Sequence, residues 1–215
     1  MRRLILVIGG SIGLLASGAL HAQSGPTLDD LFNAVRANDV GEVRRLLDRG
    51  MDVNSTNKEG YSLLMEASRD GQIEIVKLLL ERKARVNQRT PQDETALMFA
   101  AYRGHLETVK ALHQRGGEIN KEGWTPLHYA AYQGHVEVCK YLVANKADVN
   151  ARSGNGTTPL MMAVRQGRYD VVKVLLASAA DANQKNDAGA TALQWALKGG
   201  NTDIGQLLRD AGAKE

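Results

Sequence analysis

The sequence repeats itself about every 33 residues from Thr27 to its end, and this periodicity constrains the fold more than any other feature. An alanine marks the same point in each of six units. These alanines are Ala34, Ala67, Ala100, Ala130, Ala163 and Ala196. A fixed period of this length indicates a stacked array, because one such unit cannot bury its apolar face alone. Such an array is typical of proteins that present a surface and seldom perform chemistry.

Each unit carries the signals for two helices separated by a turn. In one unit, Thr125 is placed to cap a helix that Pro126 opens, and Gly134 stands where that helix needs a left-handed residue to end. Apolar residues at helical spacing follow, as in 73–80 of another unit. In other units the capping residues are Ser62, Thr95, Thr158 and Thr191. The residues that end the first helix there are Asn38, Gly71, Gly104, Gly167 and Gly200.

The unit at 121–153 closely resembles the ankyrin repeat. Residues 123–128, 130–135 and 147–150 read as the family's G-x-T-P-L-H, A-A-x-x-G-H and A-D-V-N stretches. The resemblance covers nearly the whole chain after residue 26. It implies an all-α ankyrin-repeat solenoid, in which helix-turn-helix units are joined by β-hairpin loops, or fingers. The predicted domain spans 27–215, with repeats at 27–57, 58–90, 91–120, 121–153, 154–186 and 187–215.

Two departures from the repeat pattern affect the fingers. Asp93 replaces the glycine that other units place at the turn of the finger, and three residues are lost between Asn120 and Thr125. The finger between the third and fourth units must therefore be short. This shortening is either a tolerated loop deletion or a notch that admits part of a partner. The first and last units are atypical and more polar, so we expect the array to be complete.

Residues 1–22 have the layout of a secretory signal peptide. Arg2 and Arg3 precede an apolar stretch to Leu20, and Ala22 offers a cleavage point. A signal anchor is the competing interpretation, but the stretch is shorter than the ~20 residues that usually span a membrane. Residues 23–26 then form a short linker. The glycine-rich segment looks bacterial, so we predict a periplasmic protein with no membrane attachment after cleavage.

The composition limits the possible partners. Without Arg2 and Arg3 the chain has 25 basic and 24 acidic residues, so the mature protein is nearly neutral and we expect no nucleic-acid binding. Cys139 is the only cysteine, which excludes an intramolecular disulfide. It stands where other units have valine, as at Val109, and we predict a buried, inert thiol.

No residue set resembles a catalytic or metal site. His105 and His135 follow helix-ending glycines of successive units, and His128 lies in the T-P-L-H turn, where the resemblance implies a structural hydrogen bond. The carboxylates that begin each second helix recur with the architecture and complement its positive end. We therefore predict no metal, no cofactor and no enzymatic activity. Those carboxylates are Glu74, Glu107, Glu137 and Asp170.

The resemblance implies binding through the fingers and the exposed face of the first helices, which we call the concave strip. Two places after each register alanine the chain has Arg36, Arg69, Tyr102, Tyr132, Arg165 and Lys198. The finger position before the capping hydroxyl adds aromatic residues. Phe99, Tyr129 and Trp195 occupy a neighbouring first-helix position, where they are framework residues, partly exposed residues, or both. Aromatic side chains and arginines dominate interface energetics. The predicted partner-binding residues are Tyr61, Arg69, Tyr102, Arg103, Trp124, Tyr132, Arg165 and Lys198.

Two functions remain open from the sequence. The first is a monomeric interaction module or adaptor that binds another protein, one with an acidic surface. The second is an envelope protein that binds or acts on peptide or glycan. A deep pocket with convergent polar groups would favour the second, and an open strip favours the first. A third interpretation of the strip is that its long side chains simply coat a solvated face.

Overall fold

A computed structural model describes residues 25–214, so the segment interpreted as a signal peptide lies outside the described residues. Twelve α-helices occupy this part of the chain. They are α1 (Leu28–Arg36), α2 (Val40–Asp48), α3 (Leu63–Arg69), α4 (Ile73–Glu81), α5 (Ala96–Arg103), α6 (Leu106–Gln114), α7 (Pro126–Gln133), α8 (Val136–Ala144), α9 (Pro159–Arg165), α10 (Tyr169–Ala177), α11 (Ala192–Lys198) and α12 (Thr202–Asp210).

The helices form two parallel rows of a solenoid. The odd-numbered helices pack side by side as first helices, the even-numbered helices form the second row, and each first helix packs on the second helix that follows it. The predicted all-α solenoid is therefore confirmed. None of the helices between residues 25 and 214 combines the length and apolar character needed to cross a bilayer.

The loops between pairs are tight turns, and the prediction of β-hairpin fingers needs correcting. Across residues 25–214 the only β-pairing is an isolated bridge between Thr56 and Ser62. In that loop the Asn57 amide donates to the Tyr61 carbonyl at 2.9 Å, and the Gly60 amide donates to the Asn57 carbonyl at 3.0 Å. These two bonds close the turn without extending into strands. Loops starting at Thr90, Ser153 and Asn186 repeat the pattern.

The predicted helix signals act as expected. The Thr125 hydroxyl accepts a hydrogen bond from the His128 amide, and the equivalent hydroxyls cap the other first helices. Gly104 has a φ of 77°. A β-carbon there would lie 2.5 Å from Nδ1 of His135, so glycine also permits the close approach of the next unit. Asn38 adopts the same left-handed conformation with a φ of 55°.

A continuous apolar core runs between the two rows. The register alanines are buried and allow the first helices to approach closely. Cys139 is buried among the core residues, and this burial raises the pKa of its thiol to about 12. The prediction of a buried thiol is confirmed.

One asparagine in each of the first five units joins successive loops. The Asn87 side chain donates to the Gly116 carbonyl at 2.9 Å and accepts from the Glu118 amide at 2.9 Å. Asn120 makes the same pair of bonds to Lys146 and Asp148 in the next unit. These bonds satisfy backbone groups at each junction and fix the spacing of the row of loops.

Candidate functional site

The histidines that follow helix-ending glycines bind backbone. The ring Nε2 of His105 lies 3.1 Å from the Arg69 carbonyl oxygen, and that of His135 lies 2.9 Å from the Tyr102 carbonyl oxygen. Arg168 takes this role in the next unit by donating from Nε to the Tyr132 carbonyl at 3.1 Å. Because an arginine does the same work, the position serves the stacking of units. Residues 25–214 contain no group of three or more histidine, cysteine, aspartate or glutamate side chains arranged for a metal.

His128 is buried and held at both ring nitrogens. The Thr125 amide donates to Nδ1 at 3.2 Å, and Nε2 lies 3.0 Å from the Thr157 carbonyl oxygen, to which it can donate. This arrangement suits a neutral ring, since a second ring proton would face the Thr125 amide. Burial lowers the pKa of His128 to about 4. The structural hydrogen bond expected at this position is present.

The second-helix face carries regular ion pairs. Glu74 accepts from Lys77 at 2.9 Å, and Glu107 accepts from Lys110 at 2.8 Å. Glu137 and Lys140 repeat the pair at 2.8 Å in the next unit. All lie at the start of a second helix and are three residues apart. Their regularity follows from the repeat and marks no particular site.

The eight predicted partner-binding residues lie along the first helices and the loops that precede them, but they differ in exposure. Arg103, Arg165 and Lys198 are exposed at the ends of their helices, and Trp124 is 37% exposed. The others are half-buried: Tyr61, Arg69, Tyr102 and Tyr132.

Aromatic rings cluster at the centre of the concave strip. The Tyr102 and Tyr129 rings meet edge to face with centroids 6.0 Å apart. The Trp124 ring packs 5.3 Å from Tyr129 and 5.4 Å from His128. The structure therefore brings two predicted residues, Tyr102 and Trp124, together through Tyr129. It makes no such ring contact for Tyr132 within the described residues.

A small cleft opens beside this cluster. It has a volume of about 160 Å³ and lies among α3, α5 and α7. Its lining residues are Arg69, Glu94, Met98, Phe99, Tyr102, Arg103 and Tyr129. Tyr129 donates its hydroxyl to Glu94 at 3.1 Å. Burial, the first cause, and Glu94 together raise the pKa of Tyr129.

Arg69, one of the predicted partner-binding residues, is not a free cation of the strip. Its guanidinium donates to Glu66 and to Asp70. Glu66 is only 3% exposed, accepts from the Asn57 amide group at 3.3 Å, and lies 4.0 Å from Arg36. A buried carboxylate needs such partners, so Arg69 serves the stability of the fold. Sequence reasoning missed Glu66, although its three-residue spacing from Arg69 was a visible signal.

The other predicted cations of the strip form no ion pairs with described residues. Arg103 and Lys198 form no ion pair with any described residue. The Arg165 guanidinium lies 5.8 Å from the centre of the Trp195 ring, over its face, and likewise has no acidic partner within residues 25–214. The strip thus combines clustered aromatic rings with three cations that form no ion pair with a described residue.

A family model described as ankyrin repeats, in three copies, matches residues 21–90, 84–153 and 145–215. These matches span the two rows of helices and the strip. The chain belongs to the ankyrin repeat family. Ankyrin repeats are generally modules for binding other proteins and are typically not enzymes. A search of curated proteins gives no match to this sequence.

The row of tight turns that join the repeats is interrupted at the shortened loop, residues 121–124. The bonds that close the other turns have no counterpart at residues 121–124. Lys121 instead reaches back and donates to the carboxylate of Asp93, and Arg89 bridges Asp93 and Glu118. These cations hold the pKa of Asp93 below its usual value. Open depressions of about 510 and 450 Å³ lie on the two sides of the loop.

Proposed function

We propose that this protein is a non-enzymatic interaction module of six ankyrin repeats, which binds another protein through its concave strip. Each predicted repeat, from 27–57 to 187–215, contains one pair of helices. Those pairs support both the count and the boundaries.

One observation carries the proposal. Ion pairs recur in register on the second helices of three units, whereas the concave strip combines the exposed Trp124, the cleft beside Tyr102 and Arg103, which has no ion-pair partner among the described residues. Aromatic rings next to unpaired arginines are the composition of energetically important interface residues. The free cations favour a partner with an acidic surface. We further propose that the protein acts as a monomer.

Export is a separate part of the proposal. The basic start and apolar stretch of residues 1–22 support a bacterial signal peptide and a periplasmic location. Mass spectrometry of the protein from its native host tests this. We expect a chain that begins near Gln23. An intact chain from Met1 in the soluble cytoplasmic fraction would contradict it.

Affinity purification tests the interaction. The purified protein serves as bait in an extract of the native host, alongside Trp124→Ala and the matched variant Tyr169→Ala. Tyr169 lies on the second-helix row and is 42% exposed, close to Trp124. We expect a specific partner that Trp124→Ala loses and Tyr169→Ala retains. Loss with Tyr169→Ala alone would place recognition on the other face.

A further inference from the structure

The cleft beside Tyr102 has the size of a single side chain. Its volume is about 160 Å³. A cavity of roughly 150 Å³ lined by apolar side chains accommodates one benzene ring. Phe99, Tyr102 and Tyr129 supply aromatic walls, and Met98 adds a polarizable apolar surface. The cleft therefore suits a phenyl ring better than a whole small-molecule ligand, since pockets for such ligands usually exceed about 300 Å³.

The walls of the cleft are already held in place. The Tyr129 hydroxyl is bonded to Glu94, and the Trp124 ring supports Tyr129. On the other side, the Tyr61 ring packs against Phe99 with centroids 5.5 Å apart. Fixed walls lose little freedom when an anchor enters, and this favours binding of a short segment.

The charged side chains around the cleft differ in their partners and in their exposure. Glu94 accepts the Tyr129 hydroxyl, and Arg69 is bound to Glu66 and Asp70. Arg103 lines the cleft, is exposed, and has no ion-pair partner within the described residues. Glu94 has no cationic partner among the described residues either, but it is half-buried and bound to the Tyr129 hydroxyl. The exposed group placed to meet an incoming charge is therefore the Arg103 guanidinium, which prefers a carboxylate. Arg165 and Lys198 extend the free positive charge towards the end of the array.

We propose that the cleft is the anchor site for an acidic segment of the partner protein, which inserts a phenylalanine side chain and places an adjacent carboxylate against Arg103. The proposal rests on the proposed function and specifies the partner's chemistry. Trp124 and Tyr129 form the support behind the anchor, and Arg103 selects the charge beside it.

Titration of the purified ¹⁵N-labelled protein with capped dipeptides tests the proposal by NMR. We expect N-acetyl-Asp-Phe-amide to shift amides of α5, of residues 90–95 and of the start of α7. N-acetyl-Asp-Ala-amide should bind at least about tenfold more weakly, because it lacks the buried ring. N-acetyl-Lys-Phe-amide should bind about threefold more weakly, as an exposed charge pair contributes modestly.

A charge exchange makes the test specific. Arg103→Glu should reverse the preference, so that the lysine dipeptide binds more tightly than the aspartate dipeptide. Arg44→Glu is the matched control: Arg44 is exposed on α2 and has no ion-pair partner within residues 25–214. It should leave both affinities unchanged.

Three results would overturn the anchor site. They are equal affinity of the unaltered protein for the two phenylalanine dipeptides, shifts centred outside the cleft, or no shift at about 10 mM dipeptide. Partner capture separates this failure from a failure of the proposed function. If the Trp124→Ala protein loses the captured partner while the dipeptides fail, the strip still recognises protein and only the anchor chemistry is wrong.

Discussion

Charges on the two faces of the array are arranged differently. On the second-helix face, Glu74–Lys77 and its equivalents recur in register and neutralise each other within one helix. On the concave strip, Arg103 and Lys198 have no acidic partner among the described residues, and the aromatic rings gather in the middle units. Residues that repeat with the units satisfy the architecture. Residues that break the repeat are those available to select a partner.

The concave strip itself has two parts that differ in the same way. Near the start of the array, Arg36 and Arg69 surround the buried Glu66, so that part is held by its own charges. At the centre, Tyr102 lines an open cleft, and Trp124 packs behind the cleft wall that Tyr129 forms. We therefore expect substitutions at the first part to change stability and those at the centre to change binding.

The largest expected effect is on stability. Arg69→Glu should lower the free energy of unfolding by about 3 kcal/mol, because it places a second carboxylate beside Glu66, which is buried and loses its main cation. Lys77→Glu makes the same change beside the exposed Glu74 and should cost less than about 1 kcal/mol. Urea unfolding of both variants provides the measurement. Equal losses would mean that the Glu66 pair is no more important than a surface pair.

Acid should weaken the array through His128. Its pKa is lowered from 6.5 to about 4 in the fold by burial, so the unfolded chain binds the proton first as the pH falls. The stability from this group is complete above about pH 6.5 and is lost progressively down to about pH 4, by about 3 kcal/mol in total.

Urea unfolding at several pH values, compared with His128→Gln, isolates this contribution. The glutamine amide can still donate to the Thr157 carbonyl but does not titrate. We expect the difference in stability between the two proteins to shrink as the pH falls through this window. A difference that stays constant would show that His128 is not the titrating group.

Removal of single aromatic side chains at the centre should weaken partner binding by about 2 kcal/mol each. The variants are Tyr102→Ala, Trp124→Ala and Tyr132→Ala, with Tyr169→Ala as the control on the other face. Isothermal titration calorimetry with the purified partner measures the change. Tyr132 sharpens the comparison, because its ring has no aromatic neighbour within the described residues. Unchanged binding of Tyr132→Ala would contradict its predicted role and confine the recognition surface to the cleft and its supporting rings.

The smallest expected effects concern the free cations. Arg165→Glu should slow association with an acidic partner several-fold at low ionic strength and little at high salt, because exposed charges act mainly through steering. Lys173→Glu is the control, since Lys173 lies in the same unit over the Tyr169 ring. Stopped-flow measurement at two salt concentrations gives the association rate of each variant. If the control slows binding as much, the charge acts through the whole molecule and not through the strip.

The sequence predicted the features that each unit determines by itself. The cap at Thr125, the left-handed turn at Gly134 and the burial of Cys139 all follow from the position within the repeat. The pairing of Arg69 with a buried Glu66 and the cleft depend on the distance between neighbouring first helices, which no single unit encodes. The asparagines that join successive loops had a visible signal, since one recurs in each of the first five units, as at Asn87. Their hydrogen-bond partners, however, lie in the next unit.

Hydroxyl-radical footprinting of the partner complex tests whether the concave strip recognises the partner. Trp124, in the loop before α7, and Tyr169, at the start of α10, are 37% and 42% exposed in the free protein, so they report on the concave strip and on the second-helix row with similar initial reactivity. We expect partner binding to protect Trp124 and to leave Tyr169 unchanged. Protection of Tyr169 with Trp124 still reactive would contradict recognition by the concave strip.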